Sequence, residues 1–274
     1  MRPGEYLQRV RAQAPLVHCI TNYVTVNDCA NVLLACGASP IMADDIDEAA
    51  EITSLCSGLC INIGTLSRDT IPSMYASGKR ANELDTPVIL DPVGAGASKL
   101  RTDVALGLLD EVRFAVIRGN ASEIRALAGT SLTTRGVDAA PEDLVTESTL
   151  DATVALARSL AKGRGSVVAI TGATDIATDG IRTFLIRNGR PEMGRITGTG
   201  CQLSALTTAF VAASPDEPLE ATVAAICTMG LCGEKAFARM ASGDGNSSYR
   251  NRIIDDVCNL TPEMLERGAA YELR

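Results

Sequence analysis

Apolar and polar positions alternate in blocks along the first two-thirds of the chain. Short β-rich runs, "PLVHCIT", "SPIMA", "LCINIG", "PVILDPVG" and "FAVIRGN", most of them closing on Gly, Asn, Asp or Thr, are separated by stretches with helical patterning at residues 24–36, 47–57, 69–85 and 99–112. Strands alternating with helices of this length predict crossover units and a mainly parallel sheet. The alternation continues with a helix over 151–162 and the strand "SVVAITG". Next, "DIATDGIRTFLIRNG" places an Asp-Gly turn between two apolar runs, which predicts a hairpin at the sheet edge. Two helices rich in small residues follow, at 201–213 and 219–240. Apolar on most sides, they belong in the domain interior or against another subunit. The "GDGN" at 243–246 reads as a turn before a final helix. With no repeat, low-complexity segment or linker, residues 1–274 read as one α/β domain with a mainly parallel central sheet flanked by helices.

In an open α/β sheet, ligands bind beyond the carboxyl ends of the strands. The polar residues at those ends are Thr21 and Asn22, Asp44 and Asp45 beside Met42, Asp91, the run Arg118 to Glu123, and Thr171 with Gly172.

A formal net charge of −8 argues against a nucleic-acid partner, because a chain that tracks phosphates needs a basic face. Nine cysteines sit in apolar runs with no CxxC, and there is one histidine, His18. Reduced, buried thiols in a cytoplasmic protein are expected, and a structural zinc site is not. The start "MRPGEYLQRVRAQAP" lacks the apolar centre of a signal peptide. Residues 196–215 are uncharged but carry two glycines, four threonines, a glutamine and a proline, too polar and interrupted for a membrane span.

The most specific local signal is "ITGTGCQLSAL", residues 196–206. Gly198 and Gly200 permit close backbone approach, and the amides of Thr199, Gly200 and Cys201 at a helix start would converge on an anion. A Walker A loop would follow its last glycine with lysine, whereas here Cys-Gln-Leu follows. "LDPVGAGAS", residues 90–98, lacks the third glycine of a dinucleotide fingerprint. Its Asp91 either forms a simple Asp-Pro turn or faces the crevice, where it could orient magnesium or an attacking alcohol. In "IRGNASEI", Asn120 and Glu123 are spaced as a capping box, while Arg118 beside them suits a nucleotide phosphate and Glu123 its Mg²⁺. His18 is either a hydrogen-bonded structural residue or a ligand contact, and Met42 either core or substrate wall.

"HCITNYVTVNDCANVLLACGASPIMA", "LDPVGAGAS", "IRGNASEI", "AITG" and "ITGTGCQLSAL", in this order and spacing, resemble the hydroxyethylthiazole kinase family. The resemblance runs from about residue 14 to residue 213 and leaves 130–150 unaligned. It implies a three-layer ribokinase-like fold and a role in thiamine biosynthesis or salvage. It also implies that Met42 contacts the thiazole with Asn22 nearby, that Arg118 and Thr171 contact ATP, and that Gly198 borders the substrate alcohol. Glu123 falls in the Asn-x-x-Glu pattern by which ribokinase-like enzymes hold magnesium, with Asp91 on the same side. A homotrimer with thiazole sites between protomers is implied too.

Where sugar kinases of this fold place aspartate after the last loop glycine, this chain has Cys201, as the thiazole kinases do. The expectation is transfer of the γ-phosphate of Mg-ATP to the alcohol of 4-methyl-5-(2-hydroxyethyl)thiazole. Gly198, Thr199, Gly200 and Cys201 would form the catalytic loop, with Cys201 a modest base or a positioning group, since a helix N-terminus lowers a thiol's pKa and nearby phosphates raise it. The rivals are another ribokinase-like alcohol kinase, such as one acting on a hydroxymethylpyrimidine, an ADP-dependent dehydratase of hydrated nicotinamide nucleotides, and a nucleotide-binding regulator.

Overall fold

In the computed structural model, which describes residues 1–129 and 149–274, nine strands form one mixed sheet. They are β1 (Leu16–Ile20), β2 (Ser39–Ile41), β3 (Gly58–Asn62), β4 (Val88–Asp91), β5 (Val116–Asn120), β6 (Val167–Thr171), β7 (Asp175–Thr178), β8 (Thr183–Ile186) and β9 (Tyr271–Leu273). In space they are ordered β2-β1-β3-β4-β5-β6-β7-β8-β9. Strands β2 to β6 run parallel, and from β6 to β9 each pairing is antiparallel.

The strands are apolar on both faces because helices cover both. Alternate residues along each strand point to opposite sides. Val17, Cys19, Cys60 and Ile89 therefore join a core shared with α1 (Pro3–Gln13), α2 (Val26–Cys36), α8 (Thr199–Ala212), α9 (Pro218–Ala238) and α10 (Asn246–Asn259). Their sequence neighbours Ile20, Leu59, Ile61, Val88 and Leu90 join a second core under α4 (Thr70–Glu83), α5 (Lys99–Glu111), α6 (Ala121–Leu127) and α7 (Leu150–Arg164). Burying each large aliphatic side chain contributes about 1.5–3 kcal/mol, so the two cores clamp the sheet from both sides.

Helix α8 shows why the pattern at 201–213 has no polar stripe. It packs on β1, β3 and β4 along one side and on α1, α2 and α9 along the others, and every residue from Gln202 to Val211 is buried. Helix α9 is long and apolar enough to cross a membrane by length and composition, but most of it is buried against α8, α10 and the sheet. The hairpin expected at the sheet edge forms, but it is not the edge. Strand β9, from the chain's last residues, pairs antiparallel with β8 and takes that place. Three residues are too few for periodicity to announce, so β9 depends on the ladder that β8 offers. Helices α1 and α11 (Pro262–Gly268), which pack on each other, were likewise absent from the pattern reading.

Candidate active site

The chain leaves β1 for β2 on one side and then crosses back to β3 on the other side of β1. Crevices at such a reversal, beyond the carboxyl ends of the strands, are where α/β sheets bind ligands. Asn22 follows β1, Asn62 ends β3, Asp91 ends β4 and Asn120 ends β5. The glycine loop closes over this row from α8.

Helix α8 begins at Thr199, two residues before the sequence pattern placed it, with Gly198 as its N-cap. The first bond of the helix is donated by the Gln202 amide to the Gly198 carbonyl, at 2.9 Å. The amides of Thr199, Gly200 and Cys201 therefore lie in the first turn, where backbone donors have no partner within the helix. Gly198 has φ +90°, and a Cβ there would lie 2.5 Å from Thr25 Cγ2, so any side chain is excluded twice over. At Gly200 a Cβ would meet the Arg118 guanidinium at 3.0 Å. The second glycine thus lets the cation lie directly against the loop.

Arg118 is nearly buried. Its Nη2 donates to Thr171 Oγ1 at 2.9 Å and its Nη1 lies 3.5 Å from Asp91 Oδ2. Its Nε has no hydrogen-bond partner among the described residues. Asp91 is fully buried, and burial pushes its carboxyl up, against the pull of Arg118, Ser204 and Asn62. Oδ2 accepts from Asn62 Nδ2 and Ser204 Oγ, both at 2.8 Å, whereas Oδ1 has no hydrogen-bond partner among the described residues.

Glu123 does both things that its sequence context left open. Its Oε2 accepts from the Asn120 amide at 2.8 Å while Asn120 Oδ1 accepts from the Glu123 amide at 2.9 Å, which completes the capping box. Its Oε1 accepts from the Gly94 amide at 2.9 Å, and the side chain still lines the cleft. Burial first, and Asp91 second, push its carboxyl up to about 7. No cluster of three or more His, Cys, Asp or Glu that could hold a metal occurs among the described residues. The donor set nevertheless fits Mg²⁺, which keeps several waters and takes one or two carboxylates plus phosphate: Asp91 offers a free oxygen, and each Glu123 oxygen retains acceptor capacity beyond its one amide bond.

Cys201 Sγ accepts from Asn22 Nδ2 at 3.1 Å and from Asn62 Nδ2 at 3.3 Å. The helix start and these donors favour a thiolate, but burial and the neighbouring Asp91 outweigh them and push the thiol up to about 11. At neutral pH Cys201 is therefore a thiol.

Asn22, Asp91, Arg118, Glu123, Thr171 and the loop residues Gly198, Thr199, Gly200 and Cys201 line one cleft of about 580 Å³. Met42 lies apart, in an adjoining cavity of about 350 Å³ with Tyr23 and Met74 among its walls. Thr65 lines both spaces. His18 is buried behind the Met42 cavity: Nε2 bonds the Ala43 carbonyl at 2.7 Å and Nδ1 meets Thr53 Oγ1 at 2.9 Å. It is the structural histidine of the two alternatives, bracing the residue next to Met42. Asn62, Ser204 and Thr25 went unnamed in the sequence reading. Asn62 satisfied the same strand-end rule that picked out Asp91, whereas Ser204, one turn into an apolar helix, carried no signal.

A sheet with its reversal at β1 and a glycine loop feeding a buried helix over a carboxylate–guanidinium pair belong to the ribokinase-like fold class. Residues 7–263 match the hydroxyethylthiazole kinase family, and the chain belongs to it. It is 59% identical to the hydroxyethylthiazole kinase of Clostridium acetobutylicum over 98% of each chain. It superposes on the structure of a hydroxyethylthiazole kinase protein from Pyrococcus horikoshii with a TM-score of 0.88 and 39% identity, covering 99% of this chain and 98% of that one. A pyridoxal kinase from Staphylococcus aureus, solved in complex with ADP, shares the fold at 13% identity with a TM-score of 0.62, over 94% of this chain and 97% of that one.

Proposed function

We propose that this protein, working as one unit over residues 1–274, transfers the γ-phosphoryl group of ATP to the primary alcohol of 4-methyl-5-(2-hydroxyethyl)thiazole. The observation that carries the proposal is the convergence of the α8 first-turn amides, Arg118 and Asp91 on one cleft that shares Thr65 as a wall with the cavity of Met42, in a chain of the hydroxyethylthiazole kinase family. The alcohol oxygen attacks the γ-phosphorus and the bond from that phosphorus to the β–γ bridging oxygen breaks, leaving ADP.

Phosphoryl transfer proceeds through a loose transition state, so positioning and charge neutralisation supply most of the acceleration. The amides of Thr199, Gly200 and Cys201 stabilise charge on the transferring group, and Arg118, braced by Thr171, holds ATP. Asp91 and Glu123 hold Mg²⁺, which when bound neutralises phosphate charge. Met42 packs on the thiazole, with Asn22 and Gly198 beside the alcohol. Cys201 is protonated at rest, so it orients the hydroxyl, whose proton passes late to an oxygen of the transferring phosphoryl group, once bonding to phosphorus has made that proton acidic.

The setting we propose is a cytoplasmic homotrimer in thiamine biosynthesis, with sites between protomers. Tyr23 and Val24, 78% and 57% exposed beside the site, are the surface that a neighbouring copy would cover. The test is ADP release from Mg-ATP with and without the thiazole, with the product identified by mass. Thiazole-dependent release of a monophosphate supports the proposal. A folded, ATP-binding protein that ignores the thiazole but phosphorylates another heterocyclic alcohol would overturn the substrate assignment.

A further inference from the structure

Asn62 is 1% exposed and uses its whole hydrogen-bonding capacity inside the site. Its Oδ1 accepts from the Gly64 amide at 2.9 Å and from Asn22 Nδ2 at 3.1 Å. Its Nδ2 donates to Asp91 Oδ2 at 2.8 Å and to Cys201 Sγ at 3.3 Å. The orientation of the amide is not arbitrary: a backbone N–H can only donate, so the Gly64 contact fixes which end is oxygen and turns both N–H bonds toward the carboxylate and the sulfur. Asn22 is fixed the same way, because its Oδ1 accepts from the Thr25 amide at 3.2 Å and from Thr25 Oγ1 at 3.0 Å.

Asn62 also decides which Asp91 oxygen is free. Its bond, with that of Ser204, satisfies Oδ2, and Oδ1 is the atom left without a partner among the described residues. A carboxylate held by fewer donors would turn toward Arg118, whose Nη1 already lies 3.5 Å from Oδ2. The same amide donates to the Cys201 sulfur, which lines the cleft.

We infer that Asn62 is a positioning residue for phosphoryl transfer, a junction that aims the free oxygen of Asp91 and the sulfur of Cys201 at the same reacting group. The inference rests on the phosphoryl-transfer function proposed above. It assigns the Asn62 side chain two separable parts: the oxygen supports the Gly64 turn, and the two N–H groups align the chemistry.

Asn62→Asp separates those parts, since it keeps the oxygen facing Gly64 and leaves at most one proton, shared with Asp91, where both N–H donors stood. We expect Asn62→Asp and Asn62→Ala to lower kcat by about 10–100-fold, the usual cost of removing a group that orients a direct ligand, while the KM for ATP changes by no more than about threefold. In a Cys201→Ala background the further loss from Asn62→Asp is smaller than in wild type but not abolished, because the share exerted through the sulfur is already gone and the share exerted through Asp91 remains. Crystal structures of wild type and Asn62→Asp then show the Asp91 carboxylate turned or the Cys201 sulfur displaced. Near wild-type kcat in Asn62→Asp would show that only the turn matters and overturn the inference. Full multiplication of losses in the double variant, or an unmoved Asp91 and Cys201, would do the same. Should the wild type turn over a different alcohol, the function proposed above fails on its own, and the Asn62 series is read with that alcohol. Should it turn over none, the two crystal structures decide.

Discussion

The two cavities that meet at Thr65 recognise by different means. The cleft over β4, β5 and β6 is built from charge and from backbone: Asp91, Arg118 and Glu123 beneath the α8 amides, with two glycines whose missing Cβ atoms let loop, cation and Thr25 come together. The cavity at Met42 is built from shape: Ile20, Tyr23, Met42 and Met74 form walls, and the buried His18 braces Ala43 from behind. Charge in a buried cleft must be held at fixed positions, because desolvation already pushes Asp91 and Glu123 toward their neutral forms. An apolar wall tolerates small shifts. The cleft should therefore govern turnover, and the cavity should govern substrate affinity.

The largest expected effect is at Asp91. Asp91→Asn keeps the shape but removes the charge that the proposed mechanism sets beside the transferring group, so kcat should fall by about 10²–10³-fold. Thiazole affinity, measured by calorimetry, should hardly change. A variant that binds thiazole poorly and turns over normally would dissolve the division between the two spaces.

Cys201 lies on the boundary, and its replacement is expected to cost less. Cys201→Ala should lower kcat by about 10–100-fold, at or below the usual worth of a general base, without unfolding the protein. Cys201→Asp should keep or raise turnover, because the Asn22 and Asn62 donors would then face a carboxylate, a stronger acceptor than sulfur. Steady-state rates with a thermal melt distinguish the cases, and near-complete loss in both variants would count against Cys201 acting by orienting the hydroxyl.

On the cavity side, Met42→Ala should raise the thiazole KM by about 10–100-fold, the range for trimming an apolar pocket wall, with kcat nearly intact. A fall in kcat of the same size would place Met42 in alignment rather than affinity.

The smallest effect concerns His18. Burial holds its pKa below 6.5, against the Ala43 carbonyl and Asp44, which favour the charged form. A histidine with a lowered folded pKa contributes stability that is full above its unfolded value of 6.5 and is lost as pH falls toward the folded one. The melting temperature should drop between about pH 7 and pH 5 more steeply in wild type than in His18→Asn. Equal slopes would remove His18 as the source.

Much of this molecule was legible along the chain because its signals are local. Runs of apolar residues bounded by polar strand ends gave the parallel sheet and, by the strand-end rule, the positions of Asp91, Arg118 and Thr171. The glycines of "TGTGC" announced a helix start with close backbone approach, which follows from backbone geometry alone. Strand β9 was not legible, because three residues carry no period and form a strand only where β8 offers an open edge. Ser204 was silent as well: within a fully buried helix, sequence cannot show which small polar residue points at a carboxylate 113 positions away.

The sequence by itself determined the layers, the glycine loop at the helix start and the residue types able to neutralise charge, since these depend on periodicity, propensity and backbone freedom. Only the tertiary structure decided which groups share a hydrogen-bonded network and what state they are in. Cys201 is the clearest instance. Its place at a helix start argues for a lowered pKa, yet the thiol is pushed up to about 11 by burial and by Asp91. Both are properties of what the fold packs around the sulfur, because desolvation and long-range charge depend on every element that closes over a site.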